Sequence, residues 1–369
     1  MGSAENDFYD GIFRESAEGG QASEGVEPDT AGDSSVEFDE ENYTPRRVMP
    51  PKKRKGLRIT AVVLAMILGW ITGLGGYYSW NVSSALANID RNESMMPSSS
   101  TRPVRQPSDL DGQALNFVLL GTDRDEFGTS RSDSLMVAHL TADREHVYLI
   151  SFTRDMWVNI PGYGYNKINS AYTLGGPALT VETVESLLGV PMDFALSIDF
   201  DGFMQLTNVL GGVTVYNEYE TYTEGVHLPQ GYITLKGWEA LSYVRERYNL
   251  PNGDLDRAAR QRQVLKAIIE KATSPAVLGN PVKLSAMINH VGAIAEVDSG
   301  LTGDVILSLA TSLRFGSDSI RTMQAPIVGF GKSPDGAQDV NLVDEYQLLQ
   351  LGRALSEGTI EEYYLANQP

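Results

Sequence analysis

The chain has 369 residues, no cysteine, and 48 Asp/Glu against 29 Lys/Arg, a formal net charge of −19. An acidic balance of that size argues against a nucleic-acid reader, which would carry a broad basic face. Without thiols no disulfide framework is available, so any folded part must be held by its own core.

Charge is unevenly spread. Residues 1–45 hold thirteen Asp/Glu and one Arg, with few large apolar side chains. Such a segment cannot bury enough apolar surface to offset its ordering entropy, and a disordered acidic tail is expected. Residues 46–58 carry seven Lys/Arg and no acid, and residues 59–80 (ITAVVLAMILGWITGLGGYYSW) carry no charge at all. At ~1.5 Å per residue that uncharged run reaches ~33 Å as a helix, enough for a hydrocarbon core of about 30 Å. Tyr77, Tyr78 and Trp80 end it, where interfacial aromatics belong. Only Arg91 is basic among the next twenty residues, so the positive-inside rule puts the N-terminus in the cytoplasm and residues 81–369 outside. Ala85-Leu86-Ala87 resembles a signal-peptide cleavage site, but a 58-residue acidic leader is far longer than a signal n-region. An uncleaved signal-anchor is expected.

The part beyond the span keeps 21 Lys/Arg against 35 Asp/Glu, a net −14. Residues 81–114, rich in Ser, Pro, Asn and Asp, read as an extracellular linker. A folded domain is expected over 115–365. NFVLLG (116–121), SLMVAHL (134–140), HVYLISF (146–152), DFALSIDF (193–200) and VTVY (213–216) read as strands. Residues 168–189 begin in a turn-like segment and continue as a helix with Pro177 in its first turn; further helices are expected over 201–212 and from Gly237 through GWEALSYVRER. A longer one, capped by Asp254 or Asp256, runs to about Lys271. Further helices are expected near 281–295, 302–314 and 342–356, and a strand at 319–325. Strands alternating with helices predict a single α/β domain, a central mixed sheet covered by helices.

Three segments could carry chemistry. GTDRDEFGTSRSD (121–133) joins two strands and brings Asp123, Asp125 and Asp133 together; loop carboxylates suit a hard divalent cation, although an acidic solvated turn looks the same. SFTRDMWVNIPGYGYNKINSAY (151–172) places Arg154 and Asp155 at a strand end and Lys167 after a glycine-rich turn; ordinary ion pairing is the alternative. YVRERYNLPNGDLDRAARQRQ (243–263) holds five arginines. Arg245 and Arg247 share a face if the chain is extended there. Arg257, Arg260 and Gln261 fall at i, i+3 and i+4 on one helix face, opposite Ala258, Leu265, Ile268 and Ile269. Arg262 falls off that stripe and reads as surface. Converging guanidiniums repel unless an anion lies between them, and the planar arginine fork suits phosphate. A surface helix with salt bridges to Glu246, Asp254 and Asp256 is the alternative.

The motifs NFVLLGTD, RSDSLMV, SFTRDMWVNIPGYGYNKINSAY, GGPALTVETVESLLGV, DFDGFMQLTNVLGGV, GWEALSYVRER and GDLDRAARQRQV, in this order, resemble the LytR-CpsA-Psr family over about residues 115–273 and more loosely to 360. The resemblance implies one membrane helix and an extracellular α/β domain. It implies a phosphotransferase that moves an anionic glycopolymer from a polyprenyl-diphosphate carrier to a peptidoglycan hydroxyl with Mg²⁺ or Mn²⁺, releasing polyprenyl phosphate. By motif, Asp123 and Asp133 match metal-binding aspartates. Arg154 matches a diphosphate-binding arginine, Arg245 and Arg247 the paired head-group arginines, and Arg257 and Gln261 the residues of the helix closing over the phosphates. Arg154, Asp133, Arg245 and Arg247 are the expected catalytic set, with Lys167 as a further diphosphate ligand. Thr153 stands where the family usually has Pro. Asp125 stands where it often has Arg, which leaves the role of Arg124 open. A lipid-diphosphate-binding module and a lipid diphosphatase are the rival functions; a monomeric domain is expected.

Overall fold

The apolar runs NFVLLG and HVYLISF become inner strands of a seven-stranded sheet in the computed structural model of the chain. The structure describes residues 69, 72, 76–77, 79–87, 89–98, 112–124, 130–316 and 318–367. The acidic tail 1–45, the basic segment 46–58, most of the span 59–80, and Asp125 with its loop lie outside the described residues. All described residues belong to one compact unit, Val62–Pro369. Among them no helix is long and apolar enough to cross a membrane.

In chain order the elements are a helical segment α1 (79–87), β1 (Asp90–Asn92), β2 (Leu115–Arg124), β3 (Ser130–Leu140), β4 (Val147–Phe152), β5 (Trp157–Ile160), β6 (Gly164–Lys167), α2 (Ser170–Leu188), β7 (Phe194–Asp199) and α3 (Phe200–Val209). Then follow β8 (Val213–Asn217), β9 (Thr221–Thr223), β10 (Val226–Leu228), β11 (Gly231–Leu235), α4 (Trp238–Arg245), α5 (Asp254–Ala272), α6 (Pro275–Leu278) and α7 (Pro281–Ile294). The remainder is β12 (Ala295–Asp298), α8 (Gly303–Ser312), β13 (Ile320–Gln324), β14 (Ile327–Lys332), β15 (Asp339–Val343), α9 (Glu345–Glu357) and α10 (Ile360–Ala366).

The sheet runs β1-β12-β7-β2-β3-β4-β13. β1 with β12, β7 with β2 and β4 with β13 are parallel, and the other neighbours antiparallel, so the sheet is mixed as expected. Successive side chains of a strand leave on opposite faces. Val118 and Leu120 accordingly join a core with α2 and α9, while Leu115, Phe117 and Leu119 join another with α1, α7 and α8. Every residue of β4 is buried, which explains its unbroken apolar run. A third core lies under α3, α4, α5 and the β8–β11 ribbon.

Four expectations need correction. The segment 81–98 is not a free linker: β1 pairs with β12, Val82, Ala85 and Leu86 are buried, and Met95 is fully enclosed. The domain therefore begins before Leu115. Helix α2 starts ahead of Pro177 and breaks at Gly175 and Gly176 (φ 68°, ψ −159°), so Pro177 opens only its second part. Neither Asp254 nor Asp256 caps α5; its N-cap is Gly253 at φ 52°, with no side-chain cap. Asp256 instead accepts from Asn252 N at 2.8 Å. The ribbons β5–β6, β8–β11, β9–β10 and β14–β15 add strands beyond those anticipated.

Candidate diphosphate site

Asp133 owes its position to an irregularity in the ladder. Gly121 pairs with Ser134 and Thr122 with Ser132, so Asp133 is an extra residue that β2 does not match. Such a bulge re-aims a side chain at the end of a sheet. Gly121 is required beside it: an added Cβ would lie 2.9 Å from Ser134 Cβ.

Arg154, just beyond β4, donates from Nη1 to Asp133 Oδ1 at 3.1 Å. Its Nε lies 3.6 Å from both Asp155 Oδ2 and Asp254 Oδ1. Asp254 Oδ1 is also 2.5 Å from Arg257 Nη2. These contacts are poorly aligned, and the Nε atoms of Arg154 and Arg257 are buried without a hydrogen-bond partner. Burial pulls the Arg154 pKa down, but Asp254, Asp155 and Asp133 outweigh it and the net shift is upward. For Arg257 burial wins: its pKa is lowered despite Asp254, with Arg154 and Arg247 adding to the depression. Around Arg257, though not around Arg154, burial outweighs the nearby carboxylates, the condition an anion relieves.

Helix α4 ends at Arg245, and Glu246 turns the chain to extended geometry (ψ 129°). Glu246 is buried and accepts from Asn249 N at 3.0 Å and Asn249 Nδ2 at 3.1 Å, closing the turn that carries Arg247 and Tyr248. Burial would raise its pKa, but these bonds and one from Thr223 prevail and lower it. Arg245 lies 5.0 Å from the Phe200 ring centre and 3.7 Å from Glu224 Oε1. Arg247 stacks on Tyr248 at 4.5 Å. Gln261 donates to Val244 O at 3.3 Å, pinning α5 to α4.

These groups line one cavity of about 560 Å³ between the sheet and helices α3, α4 and α5. Asp133, Arg154, Arg245, Arg247, Arg257 and Gln261 all contribute. Arg245 and the 83% exposed Tyr248 mark its open side. Asp199, Glu224 and Glu246 also line it, and a further part of the lining is apolar, including Leu119, Met136, Phe203, Leu206, Leu241 and Ile268. Leu241 and Ile268 are buried, so the apolar part runs inward.

Other candidates fall elsewhere. Lys167 does not line the cavity; its Nζ donates to Asp155 Oδ1 at 2.7 Å, which braces the residue next to Arg154. Asp123 is half-buried at the end of β2 and outside the cavity lining. Arg260 does not share the Arg257 face: it is 5% exposed and donates to Asn217 Oδ1 at 2.8 Å. Arg262 is not a surface residue. It reaches from α5 to Ser151 Oγ on β4, and burial pushes its pKa down to about 10.

Asp254, expected either to cap α5 or to pair with its arginines, does the second: it pairs with Arg257 three residues on. Sequence reasoning gave no means of finding the apolar lining, because a Leu or Phe at strand or helix spacing has the same pattern whether it faces core or cavity.

A family model described as the LytR_cpsA_psr family matches residues 78–356. The polyisoprenyl-teichoic acid–peptidoglycan teichoic acid transferase TagU of Enterococcus faecalis is 30% identical over 308 residues, 82% of this chain and 97% of its own. The crystal structure of B. subtilis TagV superimposes with a TM-score of 0.59 at 29% identity, over 68% of this chain and 98% of that one. A structure of TagT bound to LIIa-WTA gives 0.56 at 27% identity, over 71% and 98%. With three quarters of its length matched and the mixed sheet shared with these structures, the chain belongs to the LytR_cpsA_psr family.

Proposed function

We propose that the chain is a phosphotransferase that moves an anionic glycopolymer from a polyprenyl-diphosphate carrier to a peptidoglycan hydroxyl. The observation that carries this reading is the single cavity in which an arginine-rich opening leads into an apolar interior. A diphosphate with a long hydrocarbon tail has that polarity. The relatives support the reaction: TagU is named a teichoic acid transferase, and TagT has been seen with LIIa-WTA.

The acceptor hydroxyl oxygen forms a bond to the phosphorus bearing the polymer, and the bond from that phosphorus to the bridging oxygen breaks. Polyprenyl phosphate leaves with the bridging oxygen, and the hydroxyl proton passes to that departing phosphate or to solvent. Negative charge grows on the departing phosphate, and fixed guanidiniums stabilise it in proportion to how little they must move. Arg154, half-buried, and Arg257, buried, are such groups, each with an enclosed Nε that lacks a hydrogen-bond partner. Arg245 and Arg247, at the open side, would bind the phosphates from solvent. The apolar lining holds the lipid and keeps water from competing with the sugar hydroxyl.

The chemistry of the donor set supports a divalent cation. Asp133 offers carboxylate oxygen in the cavity and Asp123 offers another at the end of the neighbouring strand. Mg²⁺ commonly binds through one or two carboxylates together with substrate phosphates. Bound there, Mg²⁺ or Mn²⁺ would neutralise charge on the diphosphate oxygens.

We further read residues 59–80 as a membrane anchor with the domain outside, next to a lipid-borne donor. Tyr77 and Trp80 are 50% and 68% exposed, which suits an interfacial belt. Ala85 and Leu86 are packed in the core, which favours a retained anchor over a leader cleaved after Ala87.

The test is to incubate the full chain in detergent with labelled lipid-linked polymer, glycan acceptor and Mg²⁺. Label should enter the glycan with wild type and be strongly reduced with Arg245→Ala. Glycan without label, or equal labelling by both proteins, would overturn the reading. Free phosphorylated polymer in its place would identify a diphosphatase.

A further inference from the structure

A second cavity, of about 310 Å³, lies along another flank of α5. Arg260, Arg262 and Lys266 face it, with Tyr216, Tyr219 and Tyr243 as aromatic walls. The large cavity uses Arg257, Gln261 and Leu265 of the same helix instead, so the two sites share no residue of α5.

Two guanidiniums in the second cavity are incompletely satisfied. Arg260 is 5% exposed, stacks on the Tyr243 ring at 4.3 Å, and bonds Asn217 and Tyr219 through Nη2. Its Nη1 is buried with no partner. Arg262 Nη1 donates to Ser151 Oγ, and its Nε is buried with no partner. Neither forms a salt bridge among the described residues. Two carboxylates also face the cavity. Asp256 is engaged by Asn252 N and Nδ2 at 2.8 and 3.2 Å, and Glu218 is exposed at the rim. Lys266 lies 3.8 Å from Glu270.

A buried cation without a counter-charge is unfavourable unless something supplies one. An apolar residue at position 262 would pack against the sheet without that cost. Two arginines with unused N–H capacity and a lysine lining one cavity suit tetrahedral oxyanions, which arginine meets with paired donors. Tyr216 and Tyr219, 45% and 37% exposed, leave the cavity accessible. We propose that this cavity is a second anion site that takes a phosphate group, either free or as the diester of a polymer. Burial lowers the pKa of both arginines; Tyr243, Glu246 and Asp256 offset it in part at Arg260, and no charge partner offsets it at Arg262. The site does not depend on the transfer reaction.

The experiment is a calorimetric titration of the full chain in detergent with inorganic phosphate and, separately, with bis-glycerol phosphodiester. Wild type should show a binding component that Arg262→Met weakens by about tenfold or more, the size of a lost charge-assisted contact. Ala259 is exposed beside the cavity, so Ala259→Trp should block the component without touching a charge. The same component should persist in Arg154→Ala, which alters only the large cavity. A response to the diester identifies a polymer-borne group; a response to inorganic phosphate alone identifies the free ion. Equal responses from wild type, Arg262→Met and Ala259→Trp, or a response lost only in Arg154→Ala, would overturn the proposal.

Discussion

Asp133 Oδ1 accepts a hydrogen bond from Arg154 Nη1 at 3.1 Å, joining a bulged residue of β3 to the residue that leaves β4. The contact fixes the guanidinium where the two strands end. Asp133→Asn keeps the shape but removes the charge that orients Arg154. Transfer should fall by about 10²–10³-fold, the range seen when a preorganised charge-stabilising contact is lost. The melting temperature should stay within a few degrees, since the pair is partly solvated. Unchanged turnover would mean that Arg154 does not rely on Asp133.

The apolar interior should be separable from the phosphate groups. Leu206 lines it from α3, and Leu206→Trp should fill it. Polyprenyl phosphate should then no longer co-purify, as read by native mass spectrometry. A diphosphate analogue with a short alkyl chain should still bind. If both ligands bind normally, the lipid lies elsewhere.

Metal dependence has a readout apart from turnover. With a diphosphate analogue present, Mn²⁺ binding followed by electron paramagnetic resonance should weaken in both Asp123→Asn and Asp133→Asn. Chelation should stop transfer and added Mg²⁺ should restore it. Loss with Asp133→Asn alone would remove Asp123 from the ligand set.

Glu246 makes a pH prediction. Its folded-state pKa is below the ordinary glutamate value because bonds from Asn249 and Thr223 outweigh the effect of burial. A depressed folded pKa contributes stability that is complete above the unfolded pKa and lost as pH falls through the folded one. Urea midpoints should therefore drop more steeply in acid for wild type than for Glu246→Gln. Parallel curves would show that these bonds do not favour the ionised form.

Far from the site, Gly352 of α9 passes close to α2: an added Cβ would stand 1.8 Å from Leu188 O. Gly352→Ala must push the helices apart and should cost about 1–3 kcal/mol in urea unfolding. Phosphate binding by the surviving folded protein should be unchanged, which separates packing from chemistry.

Much of this was legible in the residues. Long apolar runs marked β2, β3, β4 and β7, because strands covered on both faces need no alternation. The pairing of Arg245 with Arg247 and of Arg257 with Gln261 predicted residues that do meet in one cavity. Short ribbons such as β9–β10 escaped notice because half-exposed strands of three residues leave no periodic signal. Arg260 and Arg262 were misread for a definite reason. A helix wheel assumes one buried face, whereas α5 is covered by the sheet on one side and by β8 and α4 on another. The segment 81–98 was misread because composition reports flexibility but not a strand partner 200 residues away, and β1 pairs with β12.

The extra residue at Asp133 also constrains how the chain can change over time. Side chains alternate along a strand, so the bulge sets the phase in which Ser130–Ser132 face Thr122–Arg124. A one-codon deletion there would reverse the facing of that stretch even if every remaining residue were retained. Substitutions at Ser130–Ser132 keep that phase, while a change of length does not. Among descendants of this gene, the spacing across that turn into β3 should vary less than its composition.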